Sequence, residues 1–492
     1  MNFHSSFLRS STLVTACALA AMCAGCMVGP NYVRPIAEVP ASFKEANGWK
    51  QAEPQDTAAR GPWWSVFNDP RLDELISQVE INNQTIKGAE ARVRQARALT
   101  AASRAALFPT LGLGVSGTRT SGRSGSSVSG SSASAASSGL GGPINSMNAS
   151  LDFGWELDLW GRVRRSIEAG NANTQASMAD LEAAKLLAQA QLAEDYFLLR
   201  VQDATIRLLN DNVAANQRSL QLTNNQYAVG VAARADVVQA EAQLRSTQAQ
   251  AVDAGIQRAQ LEHAIAVLTG QPPSAVTIEP VEVATTFPAI PVELPSRLLE
   301  RRPDIAAAER RTAAANAQIG VAEAAFFPSL SLSATGGFQS STLSRLLSLP
   351  SRYWSLGPDL VQTLFDAGLR RAQTEQAIAV YDQNVANYRE TVLGGFQEVE
   401  DNLFALRALE QEASVQEQAV AAARESLTIT TNQYRAGTVN YLSVVVVQTA
   451  TLNAERTALG ILGRRLTSSV ELIRALGGGW DSSALAVANA RP

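Results

Sequence analysis

Residues 107–113 read Leu-Phe-Pro-Thr-Leu-Gly-Leu, and residues 326–332 read Phe-Phe-Pro-Ser-Leu-Ser-Leu. In each copy a proline stands between a segment of helix-forming residues and a segment in which apolar residues alternate with small or polar ones. Because proline disfavours helix in the residue before it, Pro109 and Pro328 predict points where helix gives way to strand. They would redirect the chain there or simply end a helix, and the two readings are compatible.

Other parts of the chain repeat in the same order. Residues 225–227 (Asn-Gln-Tyr), followed by Gly230, recur 207 residues later as residues 432–434 followed by Gly437, whereas the proline segments lie 219 residues apart. Self-similarity in a fixed order predicts an internal duplication. The shorter second offset requires extra residues in the first copy, and the Ser/Gly/Ala tract at 121–142 predicts a flexible surface loop there.

Long helices are predicted on both sides of these segments. Proline is absent from residues 144–271 and 359–491, which are rich in Ala, Gln, Leu, Arg and Glu. Such residues favour helix, and proline would break it. We predict helices near 71–107, 166–227, 235–269, 304–326, 371–434 and 440–476. The second of these would be roughly 90 Å long at about 1.5 Å per residue, which no compact globular domain needs.

Strict alternation of apolar and polar residues predicts strands within about 109–160 and 328–365, each with two faces in different environments. Strands of about ten residues suit a tilted membrane crossing. Four strands are too few to close a membrane barrel, and lipid does not tolerate open sheet edges, so spanning would require oligomerisation. A soluble sandwich is the alternative. The long flanking helices and the aromatic side chains near the end of the second strand favour the membrane, the aromatic ones being Phe153, Trp155 and Trp160.

Composition excludes several functions. The chain has 492 residues, 17% of them charged, and a net charge of −4, without the strongly basic domain that nucleic-acid binding requires. It has two histidines, and its three cysteines all lie within the first 26 residues, which leaves no disulfide framework, zinc finger or thiol active site in the body. No constellation of acid, base and nucleophile is present, so we predict no enzyme activity, no cofactor and no metal site.

The N-terminus has the features of a targeting signal. The short apolar run that follows Arg9 predicts a signal peptide over residues 1–25. Residues 23–26 (Cys-Ala-Gly-Cys) are similar to a bacterial lipobox, in which Cys26 would become the new N-terminus and carry lipid, although Leu is usual where Cys23 stands. The alternative is ordinary secretory cleavage with Cys26 an idle thiol. No later stretch predicts a transmembrane helix.

Three segments resemble a known family in the right order. They are residues 26–35 (Cys-Met-Val-Gly-Pro-Asn-Tyr-Val-Arg-Pro), 63–70 (Trp-Trp-Ser-Val-Phe-Asn-Asp-Pro) and 294–305 (Leu-Pro-Ser-Arg-Leu-Leu-Glu-Arg-Arg-Pro-Asp-Ile). The resemblance covers nearly all of residues 26–478. It is to the TolC-like outer-membrane factors, in the lipoprotein branch related to OprM and NodT.

This resemblance implies a mixed fold, all-α plus membrane β. Three copies would each give four strands to one twelve-stranded outer-membrane β-barrel, continuous with a long periplasmic α-helical barrel and a mixed equatorial domain. The homotrimer would sit in the outer membrane, lipid-anchored, and passively export small toxic compounds or antibiotics. A periplasmic adaptor and an inner-membrane pump of the resistance-nodulation-division type would be its partners. Metal ions or secreted protein (type I secretion) are alternative cargoes. A non-channel coiled-coil scaffold is a third reading, which strands of membrane length disfavour.

The domain organisation follows from the duplication and the resemblance together. Residues 1–25 would form the signal peptide, and 26–70 the lipidated N-terminal segment of the equatorial region. Residues 71–270 are the first repeat and 304–478 the second. The equatorial linker 271–303 joins them, and 479–492 form a C-terminal tail.

Four carboxylates occupy the polar phase of the predicted strands, namely Asp152, Glu156, Asp158 and Asp359. If the apolar phase meets lipid, these side chains line the pore. The alternative is that they pair with arginines or lie exposed at the rims.

The family resemblance also implies a periplasmic gate. Asp236 and Tyr434 match the pattern by which family members hold the periplasmic end shut through hydrogen bonds and ion pairs. Ser443 and Val446 stand where some members carry acidic rings that bind cations, so this chain departs from that pattern and a hydrophobic constriction would replace it. The alternative is that residues 444–447 are only a helix-packing surface.

Overall fold

The computed structural model describes residues 27–46, 62–120, 143–281 and 301–480. The predicted signal peptide, Cys26, the loop 121–142 and most of the linker lie outside the described residues. The helices are α1 (Pro70–Asn82), α2 (Gln84–Ala105), α3 (Arg162–Ala228), α4 (Arg234–Leu268), α5 (Pro303–Ala324), α6 (Leu369–Arg435) and α7 (Tyr441–Ala475). The strands are β1 (Thr110–Thr120), β2 (Ile144–Leu157), β3 (Ser329–Ser340) and β4 (Arg352–Val361).

The duplication predicted from sequence is confirmed by the lengths of the helices. Helices α2 and α5 both have 22 residues, α3 and α6 both have 67, and α4 and α7 both have 35. In each half the order is a short helix, two strands, a very long helix and a helix of intermediate length. The same architecture is therefore built twice.

The repeated Asn-Gln-Tyr motif ends the two longest helices in the same way. Gly230 and Gly437 each have a φ of 78°, a left-handed conformation that glycine adopts without steric cost. Their backbone N–H groups donate to the carbonyls of Tyr227 and Tyr434 at 2.9 and 3.0 Å. The glycine that follows each copy of the motif is thus a helix stop that reverses the chain.

One helix prediction was wrong: the segment 71–107 is two helices, not one. Asn83 separates them with an extended backbone, φ −60° and ψ 126°. Its Oδ1 accepts hydrogen bonds from the backbone N–H of Thr85 and Ile86 at 2.9 and 3.1 Å. Its Nδ2 donates to the carbonyl of Leu268 at 2.9 Å. Asparagine is a strong N-cap, and here it caps α2 while fastening the break to the end of α4.

The strands form one antiparallel sheet in the order β1-β2-β3-β4. Cross-strand partners share a face, and the register puts Leu113 beside Leu151 and Leu332 beside Pro358. One face, called here the apolar face, consists mainly of Leu111, Leu113, Val115, Ala149, Leu151, Phe153, Trp155, Leu157, Leu330, Leu332, Ala334, Phe338, Trp354, Leu356, Pro358 and Leu360. The other, the polar face, carries mainly Ser, Thr, Asn, Gln, Asp and Glu with glycines between them. The alternation predicted from sequence is confirmed across all four strands.

The described chain divides into two compact units, each containing pieces of both repeats. The first unit comprises the described parts of Met1–Arg34, Gln95–Thr174 and Arg311–Val385, and includes the whole sheet. The second comprises the described parts of Pro35–Arg94, Gln175–Arg310 and Ala386–Pro492. No helix in the described part of the chain combines the length and apolarity that a bilayer crossing requires.

The core of the second unit is built where α1 packs on α3. It includes Leu72, Ile76, Leu192 and Leu199, which are at most 1% exposed. Asp69 caps α1 through the backbone N–H groups of Arg71 and Leu72, and its other carboxylate oxygen accepts a hydrogen bond from Tyr196 at 2.6 Å. One side chain thus both starts a helix and orients it against the core.

Candidate functional site

Asp152 lies at the centre of the polar face. Its register partners are Gly112 on β1 and Thr335 on β3. Its carboxylate accepts hydrogen bonds from the hydroxyls of Ser150 and Thr335, both at 2.9 Å. The structure therefore places Asp152 on the face opposite to the leucines, held by two neutral donors.

Glu156 and Asp359 lie on the same face, on either side of Ser331. Glu156 accepts a bidentate pair of hydrogen bonds from Nη2 of Arg162, at 2.7 and 2.8 Å. Both side chains are about half exposed, so the pair contributes little to stability. Of the two readings of this carboxylate, pairing with an arginine is the one that the structure shows.

Asp158 was misplaced by the sequence pattern, because β2 ends at Leu157 and Asp158 lies beyond it. Its carboxylate accepts the backbone N–H groups of Val163 and Arg164, both at 3.0 Å, and the guanidinium of Arg164 at 3.1 Å. Asp158 is thus a cap for the start of α3. The structure gives it no place on the polar face of the sheet.

The two helix-to-strand junctions lie where Pro109 and Pro328 predicted them. Each proline immediately precedes a strand, β1 in the first repeat and β3 in the second. Trp155 donates its indole N–H to the carbonyl of Leu107 at 3.0 Å, and Trp160 donates to the carbonyl of Pro328 at 2.8 Å. Trp160, predicted as part of a strand, lies beyond β2. The two indoles therefore satisfy carbonyls that the proline turns leave open.

The segment just after Cys26 is held by a buried arginine that the sequence did not reveal. Arg165 on α3 is 1% exposed and donates to the carbonyls of Val28 and Gly29 at 3.0 and 2.9 Å. Gly29 has a φ of 94°, and a Cβ there would collide with the backbone of Gly320. Only glycine fits such an approach. The glycine in the 26–35 motif is thus explained by close packing against α5.

The predicted gate residues Tyr434 and Asp236 lie at one cluster of helix ends. Tyr434 is 7% exposed, and its hydroxyl lies 3.1 Å from Oγ1 of Thr223 on α3. Its ring makes an edge contact with Tyr441 at 5.4 Å between centroids. Burial raises the pKa of Tyr434, the Thr223 hydrogen bond lowers it, and the charge of Asp236 raises it again.

The charge of Asp236 acts on the Tyr434 hydroxyl of this cluster. Its carboxylate accepts the backbone N–H of Ala233 at 3.1 Å and so caps α4. Ser443 likewise has a capping role, because its N–H and hydroxyl both donate to Asn440 Oδ1 at the start of α7. Val446 is 60% exposed, whereas Val444 is 1% exposed in the cluster. Within the run 444–447, one valine is therefore buried in the cluster and another is exposed to solvent in the isolated chain.

Sequence reasoning missed Thr223 and Tyr441, the buried neighbours of Tyr434. Thr223 lies 211 residues before Tyr434, and no local pattern connects them. Tyr441 carried a weak signal as the second residue of the helix predicted over 440–476. Its position, 0% exposed among helices α3, α4 and α6, follows only from packing.

Arg302 has a structural role at the described end of the segment 294–305. Its guanidinium contacts Asp304 at 2.6 Å, Glu398 at 2.7 Å and the carbonyl of Ala475 at 3.2 Å. Burial works against its charged form, yet the hydrogen bonds and charges of Asp304 and Glu398 raise the pKa of Arg302. It joins the start of α5 to α6 and to the last residue of α7, so it is a structural clamp.

Sequence reasoning also missed a hydrogen-bonded pair of carboxyl groups, Glu194 on α3 and Glu471 on α7. Burial first, and then the hydrogen bond and charge of Glu471, raise the pKa of Glu194 from 4.5 to about 8. Burial acts to raise the pKa of Glu471 too, but the hydrogen bonds with Glu194 and Arg474 lower it. The proton of this pair therefore resides on Glu194, and Glu471 stays ionised beside Arg474.

Known proteins are similar to this chain over most of its length. The family described as outer membrane efflux protein matches residues 75–271 and 294–478. A toluene efflux pump outer membrane protein, TtgC of Pseudomonas putida, is 31% identical over 474 residues, which cover 96% of each chain. The cation efflux system protein CusC of Escherichia coli is 30% identical over 461 residues, covering 93% of this chain and 96% of that protein.

A solved structure agrees with these relatives. The outer-membrane channel OprN superposes with a TM-score of 0.83 at 31% identity, over 92% of this chain and 100% of that one. The resemblance inferred from the three sequence motifs is confirmed by a match that spans both repeats. The chain belongs to the outer membrane efflux protein family, the TolC-like outer-membrane factors.

Proposed function

We propose that this chain is the outer-membrane duct of a tripartite efflux system and works as a homotrimer, with no chemistry of its own. A periplasmic adaptor and an inner-membrane pump of the resistance-nodulation-division type would deliver cargo to it, and the pump would supply the energy. Cys26 would carry the lipid that anchors the N-terminus in the outer membrane. Membership of the outer membrane efflux protein family supports the role in efflux. The trimeric state, the two partners and the lipid anchor go beyond that membership and are part of the proposal.

The proposal rests mainly on two features of the four-stranded sheet. Its apolar face exposes leucines to solvent, with Leu113 at 75% and Leu356 at 65% in the isolated chain. Its edge strands β1 and β4 are each paired on one side only among the described residues, which leaves their outer edges open. Lipid would cover the first feature, and pairing of β4 with β1 of the next copy would remove the second.

Three copies are the smallest number that would close into a barrel with an open lumen. Two copies would supply about eight strands, and such barrels have interiors that side chains fill. Three copies supply about twelve, with the polar faces lining a wider lumen. Asp152 and Asp359 would then lie along the lumen, with Glu156 held at its rim by Arg162.

The class of compound exported is indicated less sharply than the channel function. The names of the relatives speak of toluene and of cations. This chain has 5 methionines and 2 histidines, which favours small organic compounds over a relay of soft metal ions. Metal ions and secreted protein remain alternative cargoes.

The test is reconstitution of the full-length purified protein in planar bilayers, together with its mass in detergent. We expect the mass of a trimer and discrete, low-conductance channel events. Metabolic labelling with palmitate should modify the native chain and not Cys26→Ala. A monomer without channel activity, in preparations whose helical circular dichroism is intact, would contradict the proposed duct.

Substrate class is tested in a host that lacks its own outer-membrane factor. We expect the chain, expressed with an adaptor and pump from one operon, to restore resistance to organic solvents or antibiotics. Restoration of copper or silver resistance alone would instead identify metal ions as the cargo.

A further inference from the structure

The end of the sheet that carries the β1–β2 and β3–β4 connections has unbalanced charge. Residues 105–151 and 324–358 contain no Asp or Glu, although the chain as a whole has a net charge of −4. The described arginines within these spans are Arg119, Arg345 and Arg352, and all three are exposed. Among the described residues, no hydrogen bond or ion pair holds their guanidinium groups.

The opposite end of the sheet shows that this is not the rule for arginines here. Where the strands meet the helices, Arg162 pairs with Glu156 at 2.7 Å, Arg164 with Asp158 at 3.1 Å and Arg370 with Asp366 at 2.5 Å. Arginines at the helix end therefore have carboxylate partners. Those at the connection end have the charge and the donors but no anion.

Register places two of these arginines on the apolar face. Arg352 lies beside Phe338, which in turn lies beside Ala149, and Ala149 lies beside Val115. Arg119 follows Val115 by an even number of residues along β1, so it lies on the same face. Arg119 is near the outer end of one edge strand, and Arg352 begins the other. In a closed ring of copies, each β4 would lie next to a neighbouring β1, bringing both arginines to the same rim.

The connection from β3 to β4 adds apolar side chains at the same end. Leu343, Leu347 and Leu349 are 71%, 77% and 81% exposed, and Trp354 on the apolar face is 74% exposed. Arg345 lies among these leucines in the same connection. Exposed leucines and an indole beside unpaired arginines are typical of a surface at the boundary between lipid tails and headgroups.

We propose that Arg119, Arg345 and Arg352, with the neighbouring leucines, form a binding surface for the phosphate groups of an anionic glycolipid in the outer leaflet. Guanidinium groups bind phosphate oxygens bidentately, and the leucines and Trp354 contact the acyl chains below. The inference rests on the proposed orientation of the sheet in the outer membrane. It adds an electrostatic contact that would fix the depth of the sheet in the membrane.

The experiment compares three probes on the full-length protein in detergent: diphosphorylated lipid A, the same lipid A with both phosphates removed, and inorganic phosphate. Native mass spectrometry and the shift in melting temperature report binding. The test variant is Arg119→Gln/Arg345→Gln/Arg352→Gln, and its conservative counterpart replaces the same residues with Lys. A charge-matched control is Arg245→Gln/Arg371→Gln/Arg456→Gln, three exposed arginines on helices.

We expect the native protein and the charge-matched control to bind diphosphorylated lipid A, and the Gln variant to bind it about tenfold or more weakly. The Lys variant should retain part of the affinity. Dephosphorylated lipid A and inorganic phosphate should bind weakly or not at all. Equal binding by the Gln variant, or by dephosphorylated lipid A, would overturn the proposal, and equal binding of inorganic phosphate would replace the lipid surface by a simple anion site.

Two further measurements keep the result interpretable. Arg345→Gln alone changes a connection and no strand, so it tests the surface even if the triple variant does not assemble. Channel conductance of the Gln variant should equal that of the native protein. A native protein that binds lipid A but forms no channel would contradict the proposed duct and leave the lipid surface standing.

Discussion

Tyr434 shows at the scale of one residue how a motif acquires its partner. The sequence places it three residues before a helix-ending glycine, and the structure buries its hydroxyl against Thr223. Thr223 Oγ1 also lies 2.9 Å from the carbonyl of Ser219, to which it donates, so the tyrosine O–H is the donor in the longer contact. The contact joins the ends of α3 and α6.

Tyr434→Phe is expected to loosen this cluster by about 0.5–1.5 kcal/mol, because Thr223 loses one hydrogen bond but keeps another. If the cluster belongs to a closed gate, the variant should show a larger single-channel conductance than the native trimer. Tyr227→Phe, the equivalent tyrosine of the first repeat and 44% exposed, is the matched control and should leave conductance unchanged. Unchanged conductance in Tyr434→Phe would remove Tyr434 from the gate.

The raised pKa of Glu194 predicts that the stability of the folded protein depends on pH. Its pKa is raised to about 8 in the folded protein against 4.5 for the free side chain, so between these values the folded state holds a proton that the unfolded state lacks. Stability from this group is full below about pH 4.5 and is lost as the pH rises through 8. The lowered pKa of Glu471 acts below pH 4.5, outside this window.

The native protein should therefore melt at a lower temperature at pH 9 than at pH 6, and Glu194→Gln should lose most of this difference because Gln mimics the protonated acid. Thermal unfolding followed by circular dichroism measures it. Glu412→Gln, which removes an exposed carboxylate paired with Arg464, is the control and should keep the native slope. A pH slope that persists unchanged in Glu194→Gln would contradict the assignment.

At the scale of elements, the two faces of the strands were predictable and the end of β2 was not. Alternation depends only on neighbouring residues, so the two faces of each strand could be read without the fold. The end of β2 could not, because the alternation of Asp158 continues past the point where the chain turns into α3. A carboxylate in the right phase served as a helix cap instead.

The two faces make a prediction about chemical access. Cysteine at Leu356, on the apolar face, should be shielded by lipid, whereas cysteine at its neighbour Ser355, on the polar face, should react with a small water-soluble maleimide. The Cys26→Ala background removes the one cysteine that follows the predicted cleavage site. Labelling in proteoliposomes measures it.

A second pair on a central strand acts as an internal control: Leu332 should be protected and Ser331 should react. Equal labelling of the two faces would contradict a membrane position for the sheet. Reaction of all four only after detergent extraction would point to a closed or blocked lumen.

For the whole molecule, the relevant scale is the assembly of copies. Val446 is 60% exposed and is not part of the tip cluster formed by Ala240, Tyr434, Tyr441 and Val444. In a trimer three such side chains would face a common axis if α7 lines the inner surface. A hydrophobic constriction closes a pore by dewetting and needs no charge.

Val446→Asp should convert this constriction into a ring of carboxylates that binds divalent cations. We expect new block of single-channel current by millimolar magnesium or calcium. Val252→Asp, at an exposed valine on α4, supplies the same charge away from the tip and should show no block. Absence of block in Val446→Asp, in a channel that still conducts, would place the constriction elsewhere.

The sequence by itself determined the duplicated order of the helices, the approximate bounds of all but the segment 71–107, the proline junctions and the two faces of the strands. Each of these depends on local conformational preference or on a period of a few residues. The tertiary structure alone decided that Arg165 holds residues 28–31, that Tyr434 meets Thr223, that Glu194 is hydrogen-bonded to Glu471 and that Asp158 caps a helix. The first three join residues more than 130 positions apart, so their energies come from burial and packing between distant segments. Asp158 is local, but its role was set by where the chain turns.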